Sequence, residues 1–403
     1  MISILKSFVF KAKVRLVTIC VANASYAVMS LLVVSSECAP ALVPTGNPAG
    51  RLTALTVQPR AGESIPDLCR RLARGLQEVG ATPLQLLAFG DCRAQAAVVE
   101  ALSRQLDGRE FPVTWVEGRA CSGAPVAGLQ VHAFSGPVES VAWDGRPIAS
   151  VFTDGGARQC VIGGVVPPDL SAARPAQTTR ALEQLQSVLN AAGFQLEDVV
   201  RTWFFLDKIL TWYDEFNQAR SRIYSGVKFR TGSLPASTGI GAGNPARAAL
   251  TLAAWAFRPV EKNSYAEEVA SPLQCPAPAY GSSFSRALEI STNGGRQLFI
   301  SGTASIAPGG KTAWVGDLRR QVDLTMQVVE AMLRARGFSL SDLTRATAYF
   351  RRAAEAPIFA EWLAARQLSQ LPIVTTECEV CRDDLLFELE AEAASGTRRK
   401  GKA

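Results

Sequence analysis

Histidine is almost absent from this 403-residue chain, which contains only His132. A single imidazole excludes a zinc site built from several histidines, and it excludes a Ser-His-Asp triad anywhere except around that residue. His132 lies in residues 129–134, which have the pattern of a strand, and a packed strand residue is a better interpretation than a catalytic one. Acid–base chemistry therefore falls to carboxylates, cysteine, tyrosine or lysine.

Paired cysteine motifs are also lacking. The nine cysteines include one Cys-x-x-Cys spacing, from Cys378 to Cys381, and an odd total without a second such pair favours neither a disulfide framework nor a zinc ribbon. Neighbouring carboxylates are expected to raise the pKa of these two thiols. We therefore expect a reducing compartment, the cytoplasm, and no metal site at these cysteines. The protein is also expected to use no organic cofactor.

Charged residues make up only 19% of the chain and hydrophobic residues 48%, which is the composition of a globular protein. The length is enough for two or three domains. The net charge of +6 includes four positive residues in the last six positions, so residues 396–403 are expected to form a solvated basic tail. The charge therefore indicates no nucleic-acid partner.

The N-terminal segment is the one long uncharged stretch. Four basic residues between Lys6 and Arg15 precede an uncharged run over residues 16–34, which is the layout of a signal peptide or a membrane anchor. A start codon assigned too far upstream is the third interpretation. Residues 1–48 are expected to lie outside the fold in each case, and no stable membrane partner is expected, although a secreted or anchored protein stays open.

Two segments of the chain repeat the same helix and strand. Residues 178–206 and residues 322–350 each predict an amphipathic helix that ends at a glycine, Gly193 or Gly337, and then a strand that begins after a Leu-x-Asp sequence. A weaker copy lies at residues 68–89. An extended segment headed by proline follows in each copy, at Pro112, Pro235 and Pro372.

The repeats predict an α+β protein of three tandem units, near residues 51–135, 138–258 and 277–395, with a linker around residues 259–278. Units that expose a sheet edge or face bury it by association. Three such units in one chain are therefore expected to form a pseudo-trimer, and the protein is expected to be a monomer or a weak homo-oligomer.

The order of these elements resembles the Rid (YjgF) family of small trimeric proteins, whose units have the fold of the bacillus type of chorismate mutase. Residues 284–286, 300–306 and 381–388 resemble, more specifically, the motifs of the chorismatases. Chorismatases are Rid-fold enzymes that convert chorismate to a dihydroxycyclohexadiene acid or to a hydroxybenzoate. The resemblance implies a hydrolase or lyase that acts on chorismate or a related enolpyruvyl carboxylate and releases pyruvate.

The chain departs from the small Rid proteins in two ways. Those proteins hold a substrate carboxylate with an arginine just after the proline-headed turn, and none of the three matching segments has one. Deamination of enamines or imines is therefore an alternative that the sequence weakens. The family glutamate of the final strand is matched by Glu388 in the third unit, but by Thr251 in the second and Gln130 in the first. The sequence thus predicts one site, between the second and third units.

Glu388 is the predicted proton donor, since a carboxyl group that is partly buried on a strand has a raised pKa. In this hypothesis it protonates the enolpyruvyl group, and attack by water then releases pyruvate. Strand alternation is expected to place Leu386, Glu388 and Glu390 on one face and Leu385, Phe387 and Leu389 against the helices. Cys381 matches a cysteine of the chorismatases that form 3-hydroxybenzoate, which implies a role in product outcome; a buried hydrophobic residue is the equal alternative.

A small dianionic substrate needs cations and hydrogen-bond donors around it. The candidates to bind it are Arg286, Ser301, Thr303, Arg382, Tyr213, Arg201 and Arg220. A ligand-binding protein without catalytic activity is the remaining hypothesis, because the first unit is degenerate and the sequence shows no pair of nucleophile and base.

Overall fold

The computed structural model of the chain describes residues 39–42 and 50–395. These residues form three β-sheets, of five, six and seven strands, together with six α-helices. The predicted α+β class is confirmed. Within the described residues, no helix is both long enough and apolar enough to cross a membrane.

The first sheet is built from the first third of the chain. The elements there are β1 (Ala39–Leu42), β2 (Leu52–Val57), α1 (Ile65–Glu78), β3 (Thr82–Gly90), α2 (Gln95–Gln105), β4 (Val113–Glu117), β5 (Arg119–Ala120) and β6 (Val126–Phe134). The strand order is β1-β2-β6-β3-β4. Ser64 caps the N-terminus of α1: its side-chain oxygen accepts a hydrogen bond from the backbone N–H of Asp67 at 3.3 Å.

The second and third sheets repeat the same plan. The second contains β7 (Val138–Trp143), β8 (Arg146–Asp154), β9 (Ala157–Val165), α3 (Arg174–Ala191), β10 (Val199–Leu206), α4 (Tyr213–Tyr224), β11 (Ala236–Gly241) and β12 (Leu250–Pro259). The third contains β13 (Tyr265–Val269), β14 (Ala287–Thr292), β15 (Gly295–Ala304), α5 (Leu318–Ala335), β16 (Leu343–Phe350), α6 (Ala356–Ala365), β17 (Ile373–Glu377) and β18 (Phe387–Ser395). Their orders are β11-β10-β12-β9-β8-β7 and β13-β14-β15-β18-β16-β17-β5.

Both segments with the shared sequence pattern form a helix followed by a strand, and the turn between the two elements explains the pattern. Gly193 (φ 75°) and Gly337 (φ 72°) follow α3 and α5 in the left-handed region, where a residue without a side chain is not strained. Asp198 and Asp342 then accept hydrogen bonds from backbone N–H groups three residues earlier, at 2.8 and 2.7 Å. The aspartate of the Leu-x-Asp sequence therefore fixes the turn that starts the next strand.

The three proline-headed segments are strands that lie parallel to the strand of the repeat. β4 pairs with β3, β11 with β10 and β17 with β16. Proline has no N–H to donate to a ladder, which confines it to the start or the edge of a strand. The prediction that these segments are extended is confirmed.

Two segments that were expected to lie outside the units form strands. Ala39–Leu42 lies within residues 1–48, which were expected outside the fold, yet its backbone pairs antiparallel with β2 from Ala39 opposite Thr56 to Leu42 opposite Thr53. Tyr265–Val269 lies in the expected linker and is the edge strand β13, paired with β14. An unpaired strand edge satisfies its hydrogen bonds with any nearby extended segment. The rest of residues 1–48, and residues 396–403, lie outside the described residues.

Each sheet packs one face on its own two helices, and the opposite faces meet in a shared apolar core. That core includes Phe89 of the first sheet, Trp203 and Trp255 of the second, and Phe299 and Tyr349 of the third, each fully buried. Neighbouring sheets also contact each other through backbone hydrogen bonds to side chains. The Thr114 hydroxyl on β4 accepts from Gly164 N–H at 2.8 Å, and the Thr238 hydroxyl on β11 accepts from Gly302 N–H at 3.1 Å.

Candidate active site

A cavity lies where β15 and β18 of the third sheet meet α4 and β11 of the second. The space between its walls is about 540 Å³, part of which is open to solvent. The residues that line it come from both sheets and from the segment before β14: Tyr213, Arg220, Ser237, Gly239, Tyr280, Ser282, Phe284, Arg286, Gly302, Ala304, Ile306, Cys381, Arg382, Leu385 and Glu388. Six of the nine predicted site residues are therefore brought together here: Glu388, Cys381, Arg286, Arg382, Tyr213 and Arg220.

The Glu388 carboxyl group is buried at the inner end of this cavity. Its backbone lies between Ala304 of β15 and Tyr349 of β16, and the residue is 4% exposed. Burial and the neighbouring Glu390 carboxylate raise the pKa of Glu388 to about 8, against the opposing effect of two arginines. No described residue donates a hydrogen bond that would favour the ionised form, and with a pKa of about 8 the Glu388 carboxyl group is mostly protonated at pH 7.

Gly302 makes room for the Glu388 carboxyl group. A Cβ atom on Gly302 would lie 2.1 Å from Glu388 Oε1 and 3.4 Å from Thr238 Cγ2. The first distance is far below contact distance, so any side chain here displaces the carboxyl group.

We therefore expect Gly302→Ala to lower the turnover number about tenfold to 10²-fold, since a displacement of roughly 1 Å in a reacting group costs about that much. Steady-state kinetics would measure the effect. Gly309→Ala is the matched control, because a Cβ at Gly309 meets nothing within 4 Å and should leave turnover unchanged. Equal turnover in the two variants would show that the carboxyl group needs no fixed position.

Three arginines around the cavity have no carboxylate partner among the described residues. Arg286 donates to the backbone oxygen of Cys275 through Nε and Nη2, both at 3.0 Å, Arg382 donates to the Gly310 oxygen at 2.8 Å, and Arg220 donates to Asn217 Oδ1 at 2.8 Å. Arg220 and Arg286 are 2% and 4% exposed. Buried cations are normally paired, so this arrangement provides positive charge for an anionic ligand.

Tyr280, at the start of the third predicted unit, was not among the predicted site residues. The Arg286 guanidinium stands over its ring at 5.3 Å and the Arg382 guanidinium at 5.4 Å from the ring centre. Aromatic faces attract cations at these distances. Tyr280 thus holds two arginines, from segments about 100 residues apart, on the same cavity.

Cys381 and Tyr213 form a neutral pair beside Glu388. Burial first, and the Glu388 carboxyl second, raise the pKa of the Cys381 thiol to about 12, although a hydrogen bond with Tyr213 opposes the shift. Burial also raises the pKa of Tyr213. A raised pKa was predicted for this thiol from the neighbouring carboxylates. The direction is the same here, but burial is the main cause. Cys381 is therefore a thiol and not a thiolate nucleophile at neutral pH.

The other three predicted binding residues lie outside the cavity lining. Ser301 is fully buried, where its hydroxyl donates to the Ser285 oxygen at 2.6 Å and accepts from Ser237 N–H at 2.8 Å. Thr303 donates to the Ser301 oxygen at 2.8 Å. Their hydroxyls are occupied by the backbone of the junction, since strand alternation places Gly302 and Ala304 on the cavity side instead.

Arg201 lies behind the cavity in a buried cluster of charges. It forms an ion pair with Glu390 at 2.5 Å, and its guanidinium stands 4.6 Å from the centre of the Trp203 ring. Arg345 bridges Glu390 at 2.5 Å and Glu392 at 2.7 Å. Arg201 therefore neutralises Glu390, which lies two residues from the predicted proton donor Glu388, and it does not line the cavity.

His132 is part of the same cluster, as a buried strand residue. Its Nε2 lies 2.7 Å from Glu392 Oε2 and its Nδ1 3.3 Å from Gln85 Nε2. Burial alone raises the pKa of Glu392, but His132 and Arg345 together lower it to about 2. The interpretation of His132 as a packed strand residue fits these contacts.

Strand register corrects the predicted match between the units. Tyr349, Phe205 and Phe89 hold the same place in β16, β10 and β3, and they pair with Glu388, Thr251 and Gly128. Gly128, and not Gln130, is therefore the residue of the first sheet that corresponds to Glu388. The sequence match slipped by two residues because both positions face the same side of the strand.

The predicted alternation holds within β18 but fails before it. Phe387 and Leu389 pack on the helices, and Glu388 and Glu390 face the junction, as expected. Leu385 and Leu386 precede the strand, so Leu386 packs with the helix-side core and Leu385 lines the cavity. A period of two applies only inside an extended segment.

A wider groove of about 1580 Å³ leads from the cavity to solvent. The two share Tyr213, Tyr280, Ser282, Cys381 and Arg382. Acidic side chains stand along the outer part of the groove: Asp214, Glu215, Asp383 and Asp384. Among the described residues, no group of three or more His, Cys, Asp and Glu side chains could hold a metal ion.

Comparison with known proteins shows which proteins this chain is similar to. The Endoribonuclease L-PSP family model matches residues 158–252. The chain is 29% identical over 255 residues to a 3-hydroxybenzoate synthase of Streptomyces hygroscopicus, which covers 56% of this chain and 71% of the relative. It is 26% identical over 276 residues to a chorismatase of the same organism, with 62% and 77% covered.

A solved structure of a chorismatase has the same fold. It superposes with a TM-score of 0.59 at 22% identity, over 77% of this chain and 93% of that one. The predicted resemblance to the Rid family and the chorismatases is confirmed.

Proposed function

We propose that this Rid-like chain, which resembles the chorismatases, is an enzyme that acts on chorismate or a related enolpyruvyl carboxylate and releases pyruvate. The observation that carries the proposal is the cavity itself: a buried carboxylic acid, Glu388, faces Arg220, Arg286 and Arg382, which have no carboxylate partner among the described residues. Such a site offers a proton and three positive charges. Chorismate carries two carboxylates and an enol ether that is cleaved by acid.

In the proposed reaction, the proton of Glu388 passes to the methylene carbon of the enolpyruvyl group. Water then attacks the cationic ether carbon, and the adduct breaks its bond to the ring oxygen to give pyruvate and a dihydroxycyclohexadiene acid. Loss of one further water gives a hydroxybenzoate. The arginines bind the two carboxylates, and Tyr213 is positioned to donate a hydrogen bond. Every step uses residues of this chain, without metal or cofactor, and we place the reaction in the cytoplasm.

We further propose that Cys381 influences the product. Its thiol lies beside Glu388 and Tyr213 and is neutral, so it acts by shape and weak hydrogen bonding. The relative named 3-hydroxybenzoate synthase supports a hydroxybenzoate as the product.

We propose that the three sheets and their helices are three Rid-like units, near residues 51–135, 138–258 and 277–395, that form a pseudo-trimer within one chain. The repeated order of strands and helices supports it. One unit provides Glu388, where the others have Thr251 and Gly128, which supports a single catalytic site. A Rid-type deaminase is not proposed, because β11 brings Ser237 and Gly239 to the cavity and no arginine.

The direct test is to incubate the full chain with chorismate and to follow pyruvate with lactate dehydrogenase and NADH. We expect pyruvate and a ring acid in equal amounts. Absence of pyruvate, together with no heat of chorismate binding in calorimetry, would overturn the proposal.

The pH profile gives a second test. The folded-state pKa of Glu388 is raised from 4.5 to about 8, so the group holds its proton below about pH 8 and loses it above. We expect kcat/KM to fall about tenfold for each pH unit above 8. The thiols of Cys378 and Cys381 have pKa values raised to about 12 and stay neutral in this range. A kcat/KM that is constant from pH 7 to pH 10 would contradict Glu388 as the acid.

A further inference from the structure

A second cavity lies where the first and second sheets meet. Its lining residues, between Gln95 and Gly164, are far from Glu388 in the sequence. Helix α2 and the residues before β4 form one wall, and the start of β8 with Gly163 and Gly164 forms the other. The space is about 890 Å³ and open to solvent. Clefts at such junctions are common ligand sites.

This cavity occupies the same place in its junction as the candidate active site does in the next one. The hydrogen bond from Gly164 N–H to the Thr114 hydroxyl corresponds to the bond from Gly302 N–H to the Thr238 hydroxyl. Helix α2 stands where α4 stands in the other junction. The two cavities therefore have the same backbone frame, and their side chains decide what each can do.

The reactive groups of the candidate active site are replaced in this frame. Thr251 stands at the position of Glu388, and its hydroxyl donates to the Val165 oxygen at 3.2 Å. Ile148 directly precedes Ala149, the partner of Ile162, as Arg286 directly precedes Ala287, the partner of Ile300. An isoleucine thus takes the place of Arg286, and a threonine takes the place of Glu388. The cavity therefore has no buried carboxyl group at the position of the predicted proton donor.

The third junction, between the first and third sheets, shows what a closed site looks like. There Gly128 corresponds to Glu388, and a Cβ on it would lie 2.4 Å from Val374 Cγ2. Side-chain packing has filled the space. At the junction of the first and second sheets, Thr251 stands in place of the glutamate, but the cavity is still open.

The charges of the open cavity differ from those of the candidate active site. Arg109 and Arg146 stand at its rim, and neither forms an ion pair among the described residues; Arg109 donates to the Thr82 hydroxyl at 2.8 Å. Glu110 stands with them, so two positive charges and one negative leave +1. The candidate active site has Arg220, Arg286 and Arg382 with a neutral Glu388, which leaves +3.

The remaining walls are mainly apolar and include Val99, Leu102, Phe111 and Ile148. We propose that this cavity is a non-catalytic binding site for a ring monocarboxylate: the ring packs on the apolar walls, and the carboxylate pairs with Arg109 and Arg146. A net charge of +1 matches one carboxylate, whereas a second carboxylate meets Glu110. That the natural ligand is the ring acid released by the enzyme rests on the proposed function; the binding site itself does not.

Calorimetry with benzoate tests the site. Benzoate is a ring monocarboxylate, and the wild-type chain is expected to show a binding step that Arg109→Gln with Arg146→Gln weakens at least tenfold, while pyruvate release from chorismate is unchanged. Val99→Trp, which narrows the entrance at a residue that is 42% exposed, is expected to remove the same step without changing charge. Isophthalate, with two carboxylates, should bind there at least tenfold more weakly than benzoate.

Arg74→Gln with Arg104→Gln is the matched control. Both arginines are exposed and lie outside the cavity lining, and this variant loses the same charge. It should bind benzoate as the wild type does. The proposal is overturned if the wild type does not bind benzoate, if the cavity variants bind it like the wild type, or if they lose pyruvate release in parallel, since benzoate would then report on the candidate active site.

Discussion

Replacing Glu388 with glutamine is expected to lower the rate of pyruvate release from chorismate by about 10²–10⁴-fold, which is the usual contribution of a general acid. Glutamine has nearly the same size and shape, but it has no acidic proton. Burial keeps the Glu388 proton in place at neutral pH by raising its pKa to about 8. A single-turnover assay with saturating enzyme measures the chemical step directly.

Binding and chemistry separate in this variant. Glu388→Gln should bind chorismate with nearly wild-type affinity in calorimetry, because the arginines are intact. Glu361→Gln, an exposed residue paired with Arg319 on the surface, is the control and should keep full activity. If Glu388→Gln retained more than about a tenth of the wild-type rate, the proton would have to come from another group.

Replacing Arg345 with methionine is expected to lower the free energy of unfolding by about 3–5 kcal/mol, the cost of breaking a buried ion pair from one side. Arg345 is 2% exposed and pairs with Glu390 at 2.5 Å and Glu392 at 2.7 Å. It also donates to Gln130 of the first sheet at 3.0 Å. Methionine has a similar length but leaves two buried carboxylates without this cation.

Urea denaturation followed by tryptophan fluorescence measures this loss. Arg319→Met is the matched control, because its ion pair with Glu361 is exposed, with 65% and 61% of the two side chains accessible. Exposed pairs contribute roughly 0–1 kcal/mol. Similar losses in the two variants would show that the buried cluster does not join the sheets as the contacts indicate.

The buried charge cluster also explains why Glu388 of β18 keeps its proton at neutral pH. Glu390 pairs with Arg201 and Arg345, and Glu392 pairs with Arg345 and contacts His132. These partners stabilise the ionised carboxylates. Glu388 shares the same strand face but has no such partner among the described residues. Burial and the neighbouring Glu390 charge then favour its neutral form.

Much of the fold follows from local sequence patterns. The helix spacing, the glycines Gly193 and Gly337 and the Leu-x-Asp turns predict α3–β10 and α5–β16, because each signal acts over a few residues. The proline-headed strands are predicted for the same reason. The motif around Glu388 also directed attention to β18, the strand that places this carboxyl group in the cavity.

The sequence by itself determined the helix-and-strand pattern of residues 178–206 and 322–350 and the position of Glu388 near the C-terminal end of the chain. Only the tertiary structure decided which residues meet: Arg201 and Glu390 are 189 positions apart, and Tyr280 joins the cavity from a segment without a pattern. The strand register, which identifies Gly128 and not Gln130 as the counterpart of Glu388, also depends on pairing between strands that are far apart in the chain. The pKa of Glu388 depends on burial and on charges from several strands, and local patterns carry no information about either.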